Sequence, residues 1–178
     1  MDLKKLRQKL EENNIKILKE EEDLIPILIV DKIPESTKRY DKKRAWQRSH
    51  FSPIPPFMIK DADKGKTKEG YNLTQIEELR NEVKVWKENP DIPIVPKVAI
   101  LKLKDSEKYF LVEELHEEFV DKWDGELLKR MQDIQEELNK NFEIDCKKEN
   151  FIYDEVEDKL LLIDICIITK RKNEDARN

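Results

Sequence analysis

Apolar residues recur along the chain at helical spacing near the N-terminus. Leu3, Leu6 and Leu10 lie three or four positions apart within residues 2–13. Side chains at this spacing share one face of a helix, so the repeat predicts an amphipathic helix that ends at Asn13.

Two further helices are predicted by the same spacing. A helix should begin at Thr74, because Thr74 and Glu77 form a capping box in which each side chain accepts a hydrogen bond from the other residue's amide. Its predicted apolar stripe consists of Ile76, Leu79, Val83 and Trp86. Another helix is predicted over residues 125–141. Its predicted buried face consists of Leu127, Leu128, Met131, Ile134 and Leu138.

Short runs rich in β-branched and aromatic residues predict strands between the helices. The predicted strands are residues 23–33 (one strand, or two divided at Pro26), 57–63, 94–104 and 108–115, followed by two strands around an acidic turn within residues 150–168. Residues 94–104 and 108–115 are expected to form an antiparallel hairpin. Residues 34–56 are predicted to form a long loop, or a short helix between loops. This mixed order of strands and helices predicts an α+β fold.

Composition and charge narrow the class of protein. The chain has 178 residues, of which 38% are hydrophobic and 42% are charged, enough for one compact domain or two small lobes. The net charge of −5 gives no electrostatic drive toward nucleic acid or an anionic membrane, so neither is expected as a partner. Two cysteines do not make a disulfide framework, and a reducing, cytoplasmic setting is expected.

Candidate chemistry comes from polar residues at positions where apolar ones would pack better. These residues are Lys60, Glu82, Asp145, Asn150 and Asp164. Lys60 follows the apolar run Phe57-Met58-Ile59 of a predicted strand, and Glu82 lies beside the apolar stripe of the second helix. Asp164 follows the apolar run of the last predicted strand. A solvated loop has no need of this arrangement, which therefore indicates a site.

In this order, the segments around these residues resemble the protein kinase superfamily. The segments are "FMIK" (57–60), "RNEVKVW" (80–86), "NPDIPIVP" (89–96), "YFLVEEL" (109–115), "DCKKEN" (145–150) and "LLLID" (160–164). The resemblance implies a single kinase-like domain over residues 1–178. Residues 1–115 would be a small β-sheet N-lobe with one helix, and residues 116–178 a strongly reduced helical C-lobe with the catalytic loop.

The resemblance also implies a function, namely ATP- and Mg²⁺-dependent phosphoryl transfer to a serine or threonine hydroxyl of a protein. Lys60, directed by Glu82, would hold the phosphates, and the segment with Glu114 and His116 would meet the adenine. Asp145 would accept the hydroxyl proton, with Lys147 near the transferred group. Asn150 and Asp164 would bind Mg²⁺, because amide and carboxylate oxygens suit this ion.

The chain departs from the kinase pattern in three respects. No glycine precedes Gly65, so the glycine-rich loop over the phosphates is missing. Basic side chains are one hypothetical replacement: Lys38, Arg39, Lys42, Lys43, Arg44 and Arg48. Glu143 and Ile144 stand where a histidine and an arginine usually precede the catalytic aspartate. The sequence ends soon after Asp164, so a partner protein is expected to complete the C-lobe or to dock the substrate.

Other readings of the same residues remain open. The chain could be a pseudokinase, a nucleotide-binding module that acts through a partner, or a charged interaction protein without a nucleotide site. Lys60 and Glu82 could form an ordinary ion pair, worth little at a surface. Asp164 could cap a strand end. Cys146, Cys166 and His50 could bind zinc, although their spacing fits no usual zinc pattern.

Overall fold

The computed structural model describes residues 2–34, 51–61, 74–116, 120–144, 148–163, 165 and 167–170. Within these ranges the protein is α+β. The helices are α1 (Asp2–Glu12), α2 (Gln75–Glu88) and α3 (Gly125–Leu138). The strands are β1 (Ile17–Glu21), β2 (Ile27–Val30), β3 (Phe51–Ile54), β4 (Phe57–Asp61), β5 (Lys97–Leu103), β6 (Tyr109–Glu114), β7 (Phe142–Ile144), β8 (Phe151–Asp154), β9 (Lys159–Leu162) and β10 (Ile167–Lys170). A short 3₁₀ turn, Lys148–Asn150, precedes β8.

Backbone contacts divide the described chain into two compact units. The first unit contains the described residues up to 61, together with residues 74–83 and 96–115. The second contains residues 84–95 and the described residues from 116 onward. The division falls within α2, so this helix contributes its first part to one unit and its last part to the other.

A six-stranded mixed sheet forms the centre of the first unit, in the order β1-β2-β5-β6-β4-β3. Neighbouring strands are antiparallel except β2 and β5, which are parallel. The turn between β3 and β4 contains the cis peptide bond Pro55-Pro56. Because β6 lies between β4 and β5, its side chains can contact side chains on both neighbours.

One face of this sheet packs with α1 into a hydrophobic core. Leu6 and Leu10 of α1 are fully buried there. The sheet contributes Leu28, Val30, Phe57, Ile59, Ala99, Leu101, Phe110 and Val112. Successive side chains of a strand point to opposite faces. The intervening residues of β4 and β6, among them Lys60 and Glu113, therefore point to the face opposite α1.

An irregularity in β5 decides where Lys97 points. Lys97 pairs with Glu113 and Ala99 pairs with Val112, so Val98 is an extra residue without a partner of its own. Val98 and Ala99 both pack in the hydrophobic core, as expected at a β-bulge. Strict alternation would place Lys97 on the same face as Ala99. The bulge instead places it on the face opposite α1, beside Glu113.

The first turn of α2 has the local contacts that its sequence predicts. The Glu77 carboxylate accepts a hydrogen bond from the Thr74 amide at 2.8 Å, and the Thr74 hydroxyl accepts one from the Glu77 amide at 3.3 Å. Further along, Arg80 donates two hydrogen bonds, of 3.0 and 2.9 Å, to the Asp23 carboxylate. These bonds hold the pKa of Asp23 below its ordinary value. The start of α2 is thereby fixed to the first unit.

The second unit has its own hydrophobic core, built from α3, the end of α2 and the short strands. Buried members are Val85, Ile94, Leu127, Ile134, Leu138, Phe142, Phe151, Leu160, Leu162 and Ile165. The backbone of residues 93–95 forms hydrogen bonds with the backbone of strand β9 in the β8–β9 hairpin. The Val95 amide donates to the Leu162 carbonyl at 3.0 Å, and the Leu162 amide donates to the Pro93 carbonyl at 2.9 Å. β7 and β10 form a separate antiparallel pair.

The tip of the β8–β9 hairpin is joined to α3 by a polar cluster. Arg130 of α3 donates to the Asp158 carboxylate at 3.1 Å and to its carbonyl at 3.2 Å. The Tyr153 hydroxyl also donates to this carboxylate. The hydrogen bond from Arg130, and then that from Tyr153, hold the pKa of Asp158 low, whereas the bond to Asp158 raises the pKa of Tyr153. The cluster fixes the acidic turn that the sequence predicts.

The three predicted helices are confirmed, and so is the antiparallel hairpin, here β5 and β6. Within residues 23–33 the strand β2 begins directly after Pro26, so the predicted break at Pro26 is confirmed, because proline lacks the amide that a strand interior needs. A single strand over the whole range was wrong in extent. Four strands were missed: β1, β3, β7 and β10. β1 consists mostly of exposed residues, β3 contains a proline, and β7 is three residues long, so their strand signal is weak.

Candidate functional site: a buried ring of alternating charges

Four charged residues converge on the sheet face opposite α1, within the first unit. Lys60 is supplied by β4, Lys97 by β5 and Glu113 by β6, while Glu82 is supplied by α2. We refer to these four residues as the charge ring. Because β6 lies between β4 and β5, Glu113 lies between the two lysines, and Glu82 completes the ring from the helix.

Each ammonium group of the ring contacts both carboxylates. Lys60 Nζ lies 2.9 Å from Glu82 Oε1 and 3.3 Å from Glu113 Oε1. Lys97 Nζ lies 2.7 Å from Glu113 Oε2 and 3.4 Å from Glu82 Oε1. Positive and negative groups therefore alternate around a closed cycle, and the formal charges of the four residues cancel.

All four residues are buried. The Lys97 side chain has no exposed surface, and that of Lys60 is 7% exposed. Burying isolated charges is strongly unfavourable, so such groups are tolerated when they are paired and hydrogen-bonded. The pairing in the ring meets this condition. The contact between Lys60 and Glu82 is thus not the weak surface ion pair that one reading of the sequence allows.

The ring keeps Glu82 ionised. Burial alone would raise the pKa of its carboxyl, because removal from water disfavours the charged form. The adjacent ammonium groups of Lys60 and Lys97 outweigh burial, and the pKa of Glu82 lies below its ordinary value. Each lysine thus stabilises a carboxylate that it shares with the other lysine.

Asn150 is the one predicted site residue of the catalytic loop that lies within the described residues. It ends the 3₁₀ turn before β8, and its side chain is partly buried. Its carbonyl accepts a hydrogen bond of 2.8 Å from the amide of Ile163. This bond brings Ile163, which precedes Asp164 in the sequence, next to Asn150.

The predicted adenine-contacting residues lie at the end of β6. Glu114 is the last residue of the strand and is exposed, and its amide donates to the Pro96 carbonyl at 3.1 Å. His116 follows two residues later and is partly exposed. The buried glutamate of this strand is Glu113, not Glu114.

The remaining predicted site residues lie outside the described residues. These are Asp145, Lys147 and Asp164, and with them the basic residues 38–48 and the candidate zinc ligands Cys146, Cys166 and His50. Their proposed roles therefore stay predictions. Within the described ranges, no group of three or more His, Cys, Asp or Glu side chains is arranged to hold a metal ion.

Two members of the ring, Lys97 and Glu113, were not predicted from the sequence. The signal was present, because each is a charged residue directly beside an apolar run, residues 98–101 for Lys97 and residues 110–112 for Glu113. The criterion that singled out Lys60 and Glu82, a polar residue where an apolar one would pack better, applies equally to them. Lys97 could not be assigned to this face of the sheet by alternation. Without the bulge at Val98, alternation places the Lys97 side chain on the face that packs against α1.

Comparisons with known proteins assign no family. No protein-family model matches the chain, and no curated protein or solved structure matches it either. None of the helices in the described ranges has the length and apolar character needed to cross a bilayer.

Proposed function

We propose that this protein is a minimal kinase-like phosphotransferase that moves the γ-phosphoryl group of ATP to a serine or threonine hydroxyl of a protein. One observation carries the proposal: a buried strand lysine, Lys60, lies 2.9 Å from a helix glutamate, Glu82. Kinases require an ion pair between a lysine on a strand and a glutamate on the helix that follows it. The chain order of β4, α2 and the β5–β6 hairpin supports the same assignment.

The chemistry explains why this pair matters. The transition state of phosphoryl transfer is loose, and its charge is spread over the phosphate oxygens. Catalysis is therefore mostly positioning and electrostatic stabilisation. An ammonium supplies a compact positive charge for the phosphates, and Glu82 limits the directions in which the flexible Lys60 side chain can point.

The other groups of the proposal come from the resemblance. Asp145 would orient the substrate hydroxyl and accept its proton while the hydroxyl oxygen bonds to the γ-phosphorus and ADP leaves. Lys147 would stabilise the charge of the transferred group. The hydrogen bond between Ile163 and Asn150 supports a shared role for Asn150 and the next residue, Asp164.

An amide oxygen and a carboxylate, as on Asn150 and Asp164, form an oxygen donor set that suits Mg²⁺. When bound, this ion would neutralise charge on the phosphates. These residues and Lys60 are therefore the ones we assign to ATP and Mg²⁺.

A second candidate function is that of a pseudokinase, a module that acts through a partner without phosphoryl transfer. Lys60 lies 3.3 Å from Glu113 in addition to its contact with Glu82, and this observation favours the alternative. Two carboxylates neutralise an ammonium more completely than one does, and so weaken its attraction for phosphate.

Two measurements test the proposal. Thermal unfolding is followed during titration with ATP, with and without Mg²⁺, because a ligand that binds the folded state alone raises the melting temperature. Transfer of labelled γ-phosphate to a mixture of protein substrates is then compared among the wild type and the Asp145→Ala, Asp164→Ala and Lys60→Met variants. As a control, Lys140→Met removes an exposed lysine of the second unit.

We expect a Mg²⁺-dependent rise in melting temperature, and transfer that the three site variants lose and Lys140→Met retains. Binding without transfer would favour the pseudokinase. Absence of both would contradict the assignment to a nucleotide site.

A further inference from the structure

We propose that Lys97 is a positioning residue that keeps Lys60 attractive to an anionic ligand by neutralising one of the two ring carboxylates that Lys60 contacts. The inference rests on the proposed function for the identity of that ligand, a nucleotide phosphate. Of the charge ring, the proposed function uses Lys60 and Glu82 alone. It gives no role to the second lysine and the second carboxylate of the ring.

The contacts define what Lys97 does. Its ammonium lies closer to Glu113, at 2.7 Å, than that of Lys60 does, at 3.3 Å. At Glu82 the order is reversed, with Lys60 at 2.9 Å and Lys97 at 3.4 Å. Lys97 is thus the nearer partner of Glu113, and Lys60 is the nearer partner of Glu82.

The formal charges of the ring show what loss of Lys97 would change. With Lys97 present, two ammonium groups face two carboxylates, and the formal charge of the ring is zero. Without Lys97, Lys60 would be the one ammonium of the ring, and the ring would carry a charge of −1. A phosphate approaching Lys60 would then meet a ring that is more negative by one charge, at low effective dielectric constant.

Burial separates the roles of the two lysines. The Lys97 side chain is completely enclosed, whereas that of Lys60 keeps 7% of its surface exposed. The enclosed ammonium is therefore suited to charge balance inside the protein. Lys60 is the less enclosed of the two lysines of the ring.

The test uses two isosteric changes with opposite electrostatic effects. Lys97→Met makes the ring negative, and we expect it to weaken Mg²⁺-ATP binding by roughly tenfold. Glu113→Gln makes the ring positive, and we expect it to tighten binding by a similar factor. The double variant Lys97→Met/Glu113→Gln restores neutrality and keeps the Lys60–Glu82 pair. Its affinity should lie near that of the wild type.

A purely structural role gives a different result. Removing one member of a buried ion pair leaves the other uncompensated, so loss of packing would weaken binding in both single variants. Weakening in both would overturn the inference. If Lys97→Met does not fold, the tighter binding expected for Glu113→Gln and the near-normal affinity of the double variant still decide the question.

A second readout needs no nucleotide. Acetic anhydride acylates the neutral form of an amine, and the extent of reaction at Lys60 can be measured by peptide mass spectrometry, with the exposed Lys140 as the internal reference. Two unbalanced carboxylates favour the protonated amine, so acylation of Lys60 should slow several-fold in Lys97→Met and accelerate in Glu113→Gln. Mere loosening of the fold would accelerate acylation in both variants.

The two readouts separate failure of the inference from failure of the proposed function. If no variant binds ATP but acylation changes in the expected opposite directions, the proposed function is wrong and the role of Lys97 at Lys60 stands. If acylation of Lys60 does not respond to Lys97→Met and Glu113→Gln with opposite signs, the inference is overturned whether or not ATP binds.

Discussion

Lys60 and Lys97 lie on strands that are not adjacent in the sheet, yet their ammonium groups contact the same two carboxylates. The strand between them, β6, supplies Glu113, and α2 supplies Glu82. Three strands and one helix therefore meet at a single buried electrostatic network. A change at any member alters the environment of the other three, so single substitutions in the ring should not be additive.

Removal of Lys60 should strongly destabilise the protein. Lys60→Met leaves two buried carboxylates with one ammonium, and loss of one partner of a buried ion pair costs about 3–5 kcal/mol. The free energy of unfolding, measured with urea, should fall by that amount. The matched change Lys140→Met, at a lysine whose side chain is 66% exposed, should have little effect. A loss below about 1 kcal/mol for Lys60→Met would show that the ring is well solvated.

Glu82 should contribute to acid unfolding. Its pKa is lower in the folded protein than its ordinary value of 4.5, because Lys60 and Lys97 outweigh the opposing effect of burial. Its contribution to stability is therefore present above the ordinary pKa and is lost as the pH falls through the folded pKa. In Glu82→Gln, the free energy of unfolding should fall less between about pH 6 and about pH 3 than in the wild type.

The control for the acid experiment is Glu88→Gln, which changes an exposed carboxyl near the end of the same helix. The pH dependence of this variant should match that of the wild type. Equal slopes for Glu82→Gln and the wild type would contradict the assigned ionisation of Glu82.

Asp158 should control the titration of Tyr153. The Tyr153 hydroxyl donates a hydrogen bond to the Asp158 carboxylate, and this bond favours the protonated phenol and raises the pKa of Tyr153. In Asp158→Asn the pKa of Tyr153 should move down, toward its ordinary value. NMR titration of ¹³C-labelled tyrosine measures this change. Asp133→Asn, at an exposed position of α3, should leave the titration unchanged.

The cap of α3 should stabilise the second unit. The Asp124 side chain accepts a hydrogen bond of 2.8 Å from the Leu127 amide at the start of the helix. Asp124→Ala removes this bond and should lower the free energy of unfolding by about 1 kcal/mol. Asp133→Ala, within the same helix, serves as the control and should be close to neutral. Equal losses in the two variants would show that the cap is not the cause.

The helices could be predicted because their signals are local. Thr74 and Glu77 specify the start of α2 through contacts with each other's backbone, and these contacts are present in the structure. The contact between Lys60 and Glu82 followed from a resemblance, which supplied the tertiary relationship that spacing alone does not contain. Their role in binding nucleotide stays a prediction.

The rest of the ring could not be predicted from periodicity. Lys97 and Glu113 meet through strand pairing between β5 and β6, and a bulge sets the direction of Lys97. A bulge depends on cross-strand register, which a single segment of sequence does not encode. Strands such as β1 were missed for a similar reason, because pairing with β2 stabilises a segment whose own residues are mostly exposed.

The extra residue in β5 affects which insertions and deletions this gene can tolerate. An in-frame loss of the Val98 codon would leave Lys97 directly before Ala99, and ordinary alternation would then still turn its ammonium toward Glu113. A single-codon loss elsewhere in the strand, at Ile100 for example, would rotate every residue on one side of the gap to the wrong face. Length variation in β5 among descendants of this sequence should therefore be confined to position 98.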